Sequence, residues 1–346
     1  MKTQPVITSL TIKKLFGEYD VSITFNNLTV IVGKNGIGKT TILKIIDGLV
    51  TGKNHIDYSN ICESIELIFG DGESFCFGDS AHKYIDNLSK ESVHELLIRD
   101  NSVKLDLMKV IENDPKLKVF ATEELIISLI GSFIKDEDYF KKTKDKIFAT
   151  YAQNKDVIFA DKFYREDLNK KIIVRYISTV NISANAGNSF DFGNSIQKNL
   201  LDMAIHEELR DLLKKSNKSA IKNFTSQLNL FLKDSNKKVK LIETDWVFIT
   251  ESKHSLNLSQ LSSGERQLVY ILATVANTCG KPTLLLMDEP EVSMHLSWQE
   301  KIIDAIMNIN PQVQIIAVTH SPGIVMNGHM DSYIEMKDII KVSNDV

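Results

Sequence analysis

Apolar and polar residues alternate with a period of two over Ile7–Ile12 and Val21–Phe25, which predicts two strands of an antiparallel flank, with Asn26-Asn27 as the turn that follows them. The next run, Leu28-Thr29-Val30-Ile31-Val32, is short and almost wholly apolar, the pattern of a buried strand. After it, Ile42, Leu43, Ile45, Ile46 and Leu49 recur at helical spacing. A hairpin is expected where Ile65–Phe69 and Ser74–Phe77 flank Gly70-Asp71-Gly72. From Ser80 to Gln153 the pattern turns helical, with apolar clusters such as Leu125–Ile130. A strand-like stretch at Ile172–Ile177, helices around Ile196–Lys215 and Ile221–Leu232, and strands near Val239–Ile242 and Trp246–Ile249 follow. Leu268, Ile271, Leu272 and Val275 form one more helical face, and two further apolar runs, Thr283–Met287 and Ile315–Val318, read as core strands. This order predicts an α/β fold with a mostly parallel core sheet, an antiparallel β flank and an inserted helical lobe. The expected division is 1–79 with 236–346 for the head and 80–235 for a mainly helical insertion. No internal repeat is visible, and sustained heptads are missing, so a long coiled-coil arm is not expected.

The strand at 28–32 and the helix after it bracket Gly33-Lys34-Asn35-Gly36-Ile37-Gly38-Lys39-Thr40, which fits the phosphate-binding pattern G-x-x-x-x-G-K-[ST] at every specified position. Backbone N–H groups of such a loop face phosphate oxygens at a helix N-terminus. Asn35, Gly36, Gly38, Lys39, Thr40 and Thr41 are therefore the expected ATP-binding residues. The run ending in Asp288-Glu289-Pro290 delivers two carboxylates at the end of a core strand, where ligands sit in open α/β sheets. Asp288 is expected to hold Mg²⁺ together with Thr40, and Glu289 to polarise the attacking water.

Three further segments indicate the kind of phosphate-loop protein. Leu261-Ser262-Ser263-Gly264-Glu265-Arg266-Gln267 has capping-box spacing between Ser262 and Glu265, and it resembles the ABC signature in an LSSGE form. Ile315–Thr319 ends in His320, which resembles the switch histidine that contacts the γ-phosphate in ABC ATPases, and Glu291–His295 stands near the D-loop position. The whole order resembles the OLD-like, SMC-related, non-transporter branch of ABC-type ATPases. That resemblance implies ATP and Mg²⁺ as cofactors, and catalytic roles for Glu289 and His320. It also implies a homodimer, or higher even oligomer, in which Ser262, Ser263 and Gly264 of one subunit close on ATP held by the other. ABC proteins often stack adenine on an aromatic ring ahead of the phosphate loop, and Phe16 and Tyr19 are on offer.

The chain departs from the family in two ways. No glutamine occurs between Gln4 and Gln153, so the transporter-type Q-loop glutamine is absent from its window; Gln153 or Gln197 can serve only if the insertion displaced that loop. The tail from His320 to Val346 is too short for the TOPRIM domain of OLD nucleases. These features favour a sensor or assembly ATPase of anti-phage defence or DNA repair, acting with a separate effector such as a nuclease or toxin. An ABC transporter subunit and an ATP-dependent scaffold are the alternatives, the first disfavoured by the missing glutamine and the long stretch between Thr40 and Leu261. The acidic run Asp136-Glu137-Asp138 reads as an exposed helix start rather than a metal site.

Composition adds limits. With 43% hydrophobic and 25% charged residues over 346 positions, the chain can build a large core and has room for one big α/β domain with an inserted lobe. Cys62, Cys76 and Cys279 are scattered, which suggests neither a disulfide framework nor a cysteine zinc site and favours a reducing, cytoplasmic compartment. The start Met1–Pro5 opens no signal peptide, no apolar run reaches membrane-spanning length, and no membrane partner is expected. A net charge of −4 gives no basic coat, although Lys214, Lys215, Lys218, Lys237, Lys238 and Lys240 can form local patches. Nucleic-acid contact is expected from the resemblance rather than from charge.

Overall fold

The computed structural model describes residues 6–34, 36–52, 56–78, 135–152, 162–178, 189–191 and 197–343, with single positions at 90, 93 and 130. The N-terminal part holds β1 (Ile7–Leu15), β2 (Tyr19–Thr24), β3 (Leu28–Val32), α1 (Lys39–Thr51), β4 (Ser64–Phe69) and β5 (Ser74–Gly78). The middle holds α2 (Glu137–Ala152), α3 (Lys162–Lys171), β6 (Ile173–Ser178), β7 (Ser189–Asp191), β8 (Gln197–Asn199), α4 (Leu200–Lys214) and α5 (Lys218–Leu232). A three-stranded antiparallel sheet of β9 (Lys237–Ile242), β10 (Asp245–Thr250) and β11 (Ser255–Leu256) precedes α6 (Ser263–Ala276). Then come β12 (Thr283–Asp288), α7 (Leu296–Ile309), β13 (Val313–Thr319), β14 (Tyr333–Glu335), α8 (Met336–Ile339) and β15 (Ile340–Val342).

The central sheet runs β14-β3-β13-β12-β6, with every neighbouring pair parallel. Its inner strands are buried along their whole length because both faces are covered, which is why they read as continuous apolar runs. On one face Ile31, Leu284, Leu286, Ile316 and Val318 pack with α1 and the inner side of the flank. On the other, Val30, Leu285, Met287, Ile315 and Ala317 pack with α4, α5, α6 and α7. The flank is an antiparallel sheet in the order β15-β2-β1-β4-β5. Helix α1 lies between the two sheets, so Ile42, Leu43, Ile45, Ile46, Leu49 and Val50 are all buried rather than a single stripe. Gln314 ties the sheets together: its side chain accepts from the Ile7 amide at 2.9 Å and donates to the Ile7 carbonyl at 2.8 Å.

The parallel core sheet, the antiparallel flank and the hairpin at β4–β5 are as expected from the chain's patterning. Strand β6, within the 80–235 span expected as an insertion, hydrogen-bonds to β12 as the last strand of the central sheet. Helices α4 and α5 from the same span pack on α6 in the head's own core. Most of the helical pattern at 80–153, including Leu125–Ser128 and Leu129, lies outside the described residues. At its end, the Asp136 side chain accepts from the Tyr139 amide at 2.9 Å, so the acidic run caps α2.

Candidate functional site

Gly38 is the N-cap of helix α1, with a φ of 91° that no side-chain-bearing residue adopts easily, and no side chain caps the first turn. A Cβ at Gly38 would also stand 3.0 Å from the Phe16 ring. The bare turn leaves the first amides of α1 open to an anion. Phe16 is half exposed over this loop, whereas Tyr19 packs against the core under the flank. Only Phe16 of the two aromatic candidates lines the cleft. That cleft, about 650 Å³, is also lined by Gly36, Gly38, Lys39, Thr40, Thr41, Glu289, Val292 and His320. Its volume is that of a small-molecule site. Asn35 lies outside the described residues.

The central sheet brings the remaining expected groups to the same place, because β3, β12 and β13 are parallel and end together. Thr40 donates to Asp288 Oδ1 at 2.9 Å. Buried Lys39 donates to the Gly33 carbonyl at 2.8 Å and the Lys34 carbonyl at 3.0 Å. Burial pulls its pKa below the usual lysine range, and the carboxylates of Glu289, Asp288 and Glu291 oppose that pull. His320 Nε2 stands 3.2 Å from Lys39 Nζ and 2.9 Å from Glu289 Oε1. One nitrogen cannot accept from the lysine and donate to the carboxylate at once, so its proton selects between these two partners. Glu289 has φ of 51°, and its amide donates to the Val318 carbonyl at 2.9 Å, which turns the chain off the strand end. Burial and the neighbouring Glu291 push the Glu289 carboxyl up to about 7, against the pull of Lys39.

Several groups here were given no individual role in the motif-based expectation. Glu291 is buried, and its Oε1 accepts from the Thr319 hydroxyl, from the His320 amide at 3.2 Å and from the Ser321 amide at 3.3 Å. It thus gathers the end of β13 onto the turn after β12. A second glutamate two positions beyond Glu289 was the visible signal. Gln299 of α7 joins the same corner, bonded to the Ser321 hydroxyl at 2.8 Å and the Met294 carbonyl at 3.0 Å. Tyr176 of β6 donates to Asp288 Oδ2 at 3.4 Å. Burial first, then Asp288 beside it, holds the Tyr176 hydroxyl well above its ordinary pKa, so it stays a donor. Nothing in the local pattern marks it, since it reads as one more strand residue.

Ser262, Ser263 and Gly264 are not among the residues that line this cleft. They form the N-terminus of α6, where Ser262 accepts from the Glu265 amide at 3.2 Å and Glu265 accepts from the Ser262 amide at 2.7 Å. Burial opposes ionisation of Glu265, but hydrogen bonds from Ser235, Lys237 and the Ser262 amide hold its carboxyl below the usual range. A Cβ at Gly264 would lie 2.5 Å from the Ser293 carbonyl, so the glycine is required by packing within the chain. Among the described residues no helix is long and apolar enough to cross a membrane.

A family model described as an AAA ATPase domain matches residues 6–325. The Septu protein PtuA of Bacillus thuringiensis is 25% identical over 351 aligned positions, covering 96% of this chain and 76% of that protein. The Retron Vc95 probable ATPase of Vibrio cholerae serotype O1 biovar El Tor is 23% identical over 368 positions, covering 89% of this chain and 68% of its own length. Among solved structures, the SMC head domain from Thermotoga maritima is similar over 93% of this chain and 91% of its own, at 14% identity and a TM-score of 0.45. The family match runs from the first flank strand past His320 and takes in every motif of the cleft, and the chain belongs to the AAA ATPase domain family.

Proposed function

We propose that this protein is a Mg²⁺-dependent ATPase that closes as a homodimer around ATP and serves, with a separate effector such as a nuclease or toxin, as the sensor or assembly subunit of a defence system. One observation carries the ATPase reading: Lys39, Thr40, Asp288, Glu289 and His320, from three separate parts of the chain, meet at a single cleft. The donor set suits the nucleotide. Open amides at the start of α1 and the Lys39 ammonium would hold phosphate oxygens, with Lys39 giving up its two loop carbonyls to do so. Thr40 and Asp288 would hold Mg²⁺, which when bound neutralises charge developing on the phosphates.

Within that frame, Glu289 orients water and takes its proton, and His320 turns its imidazole toward the γ-phosphate side of the cleft. The placement of Ser262, Ser263 and Gly264 away from the cleft of their own chain supports a role across a dimer, facing ATP held by a second copy. Similarity to a Septu protein and to a retron's probable ATPase supports the defence role. The test is Glu289→Gln: it should bind ATP as tightly as the parent and hydrolyse it about 10²- to 10⁴-fold more slowly. Near-normal turnover in that variant would remove Glu289 from catalysis.

A further inference from the structure

Ser178 ends β6, and its register partner in the central sheet is Asp288. Paired residues of parallel strands project to the same face of a sheet. Val174 and Tyr176 of β6 pack in the core on the α1 side, as do Leu284 and Leu286 of β12, so Ser178 and Asp288 share the face from which Thr40 reaches the aspartate. Ser178 is only 5% exposed, yet its Oγ has no hydrogen-bond partner among the described residues. Buried hydroxyls are nearly always paired, and one left open beside a carboxylate at the ligand end of a parallel sheet calls for a partner that the described residues do not supply.

The surroundings indicate which partner. Asp288 is held through both oxygens, by Thr40 at 2.9 Å and by Tyr176 at 3.4 Å. Among the described residues no cluster of three His, Cys, Asp or Glu side chains is set to hold a metal. A hard cation here would rely on one carboxylate, hydroxyls, phosphates and water, which is the ligand set Mg²⁺ favours.

We propose that Ser178 belongs to the coordination shell of the divalent cation, contacting the cation or a water bound to it. This rests on the ATPase reading above. The experiment measures binding of a fluorescent ATP analogue to the full chain, with EDTA and across a Mg²⁺ titration, beside melting without nucleotide. Ser178→Ala should keep the parent's affinity in EDTA, melt no lower than the parent, and need about tenfold more Mg²⁺ for half-maximal enhancement of binding. Ser178→Thr, which keeps the hydroxyl, should restore the parent's Mg²⁺ requirement. An unchanged Mg²⁺ requirement in Ser178→Ala overturns the inference. A lowered melting point in that variant overturns it as well, because the hydroxyl would then serve the fold. A parent protein that binds the analogue without any response to Mg²⁺ would overturn the ATPase reading too, which sets that failure apart.

Discussion

At single side chains, Glu289 and Glu291 each carry one consequence. Glu289 has a folded-state pKa of about 7, above the ordinary glutamate value of 4.5, so folding favours the protonated form. The stability it contributes is fully present below about pH 4.5 and is lost as pH rises through about 7. Melting curves of the nucleotide-free protein between pH 5 and 8 should therefore fall less steeply in Glu289→Gln than in the parent; parallel curves would show that the carboxyl ionises as it does in water. Glu291 gathers three donors from residues 319–321, and removing an acceptor from buried donors is costly. Glu291→Gln keeps the shared acceptor for them, whereas Glu291→Ala leaves each with only its second one: the Ser321 carbonyl for the Thr319 hydroxyl, Glu289 for the His320 amide and the Thr319 hydroxyl for the Ser321 amide. The alanine variant should lose turnover at unchanged ATP affinity, with the glutamine variant recovering part of it. Equal turnover in all three proteins would leave Glu291 with no part in presenting His320.

At the scale of elements, the close approach of α6 to the turn before α7 changes how the signature must be probed. Any side chain at Gly264 meets the Ser293 carbonyl at 2.5 Å, so Gly264→Ala should lower the melting temperature even without nucleotide. A variant that melts like the parent would mean that the turn moves freely. The same contact makes Gly264 a poor position for testing dimerisation. Ser263 is better, because it is the first residue of α6 and an acidic residue there suits the helix dipole. Ser263→Glu would then add like charge only where a second subunit's ATP is proposed to arrive.

For the whole molecule, the proposed dimer and the proposed effector are separable. Glu289→Gln with ATP should sediment as a dimer, and adding Ser263→Glu should return it to monomer while ATP still binds. An unchanged dimer population would dismiss contact across subunits through the signature. Partner recognition is proposed for the insertion, and there the structure decides which lysines are fair probes. Lys215 donates to the Asn277 carbonyl at 2.8 Å, so reversing it disturbs the head itself, and Lys214 stands beside it as the last residue of α4. Lys141 and Lys142 on α2 are exposed. Reversing both to glutamate should weaken effector pull-down and leave ATP turnover intact; retained pull-down would place recognition elsewhere.

What the chain determined by itself is local. Gly33–Thr40, Asp288-Glu289, Ser262–Glu265 and His320 were legible because each is a short pattern whose chemistry depends on neighbours in sequence: a loop that turns, a strand that ends, a helix that caps. The buried strands were legible because a sheet covered on both faces admits no polar alternation. Tertiary structure decided whatever depends on register between distant segments. That Ser178 and Tyr176 stand beside Asp288 follows from β6 pairing with β12 across more than a hundred residues, and strand pairing leaves no local mark on an edge strand. Glu291 was visible as a second carboxylate, but its partners on residues 319–321 arrive only when β12 and β13 align. Gly264 matched a motif, yet the reason it must be glycine is a carbonyl of the turn at Ser293, and a close approach between backbones is a property of packing alone.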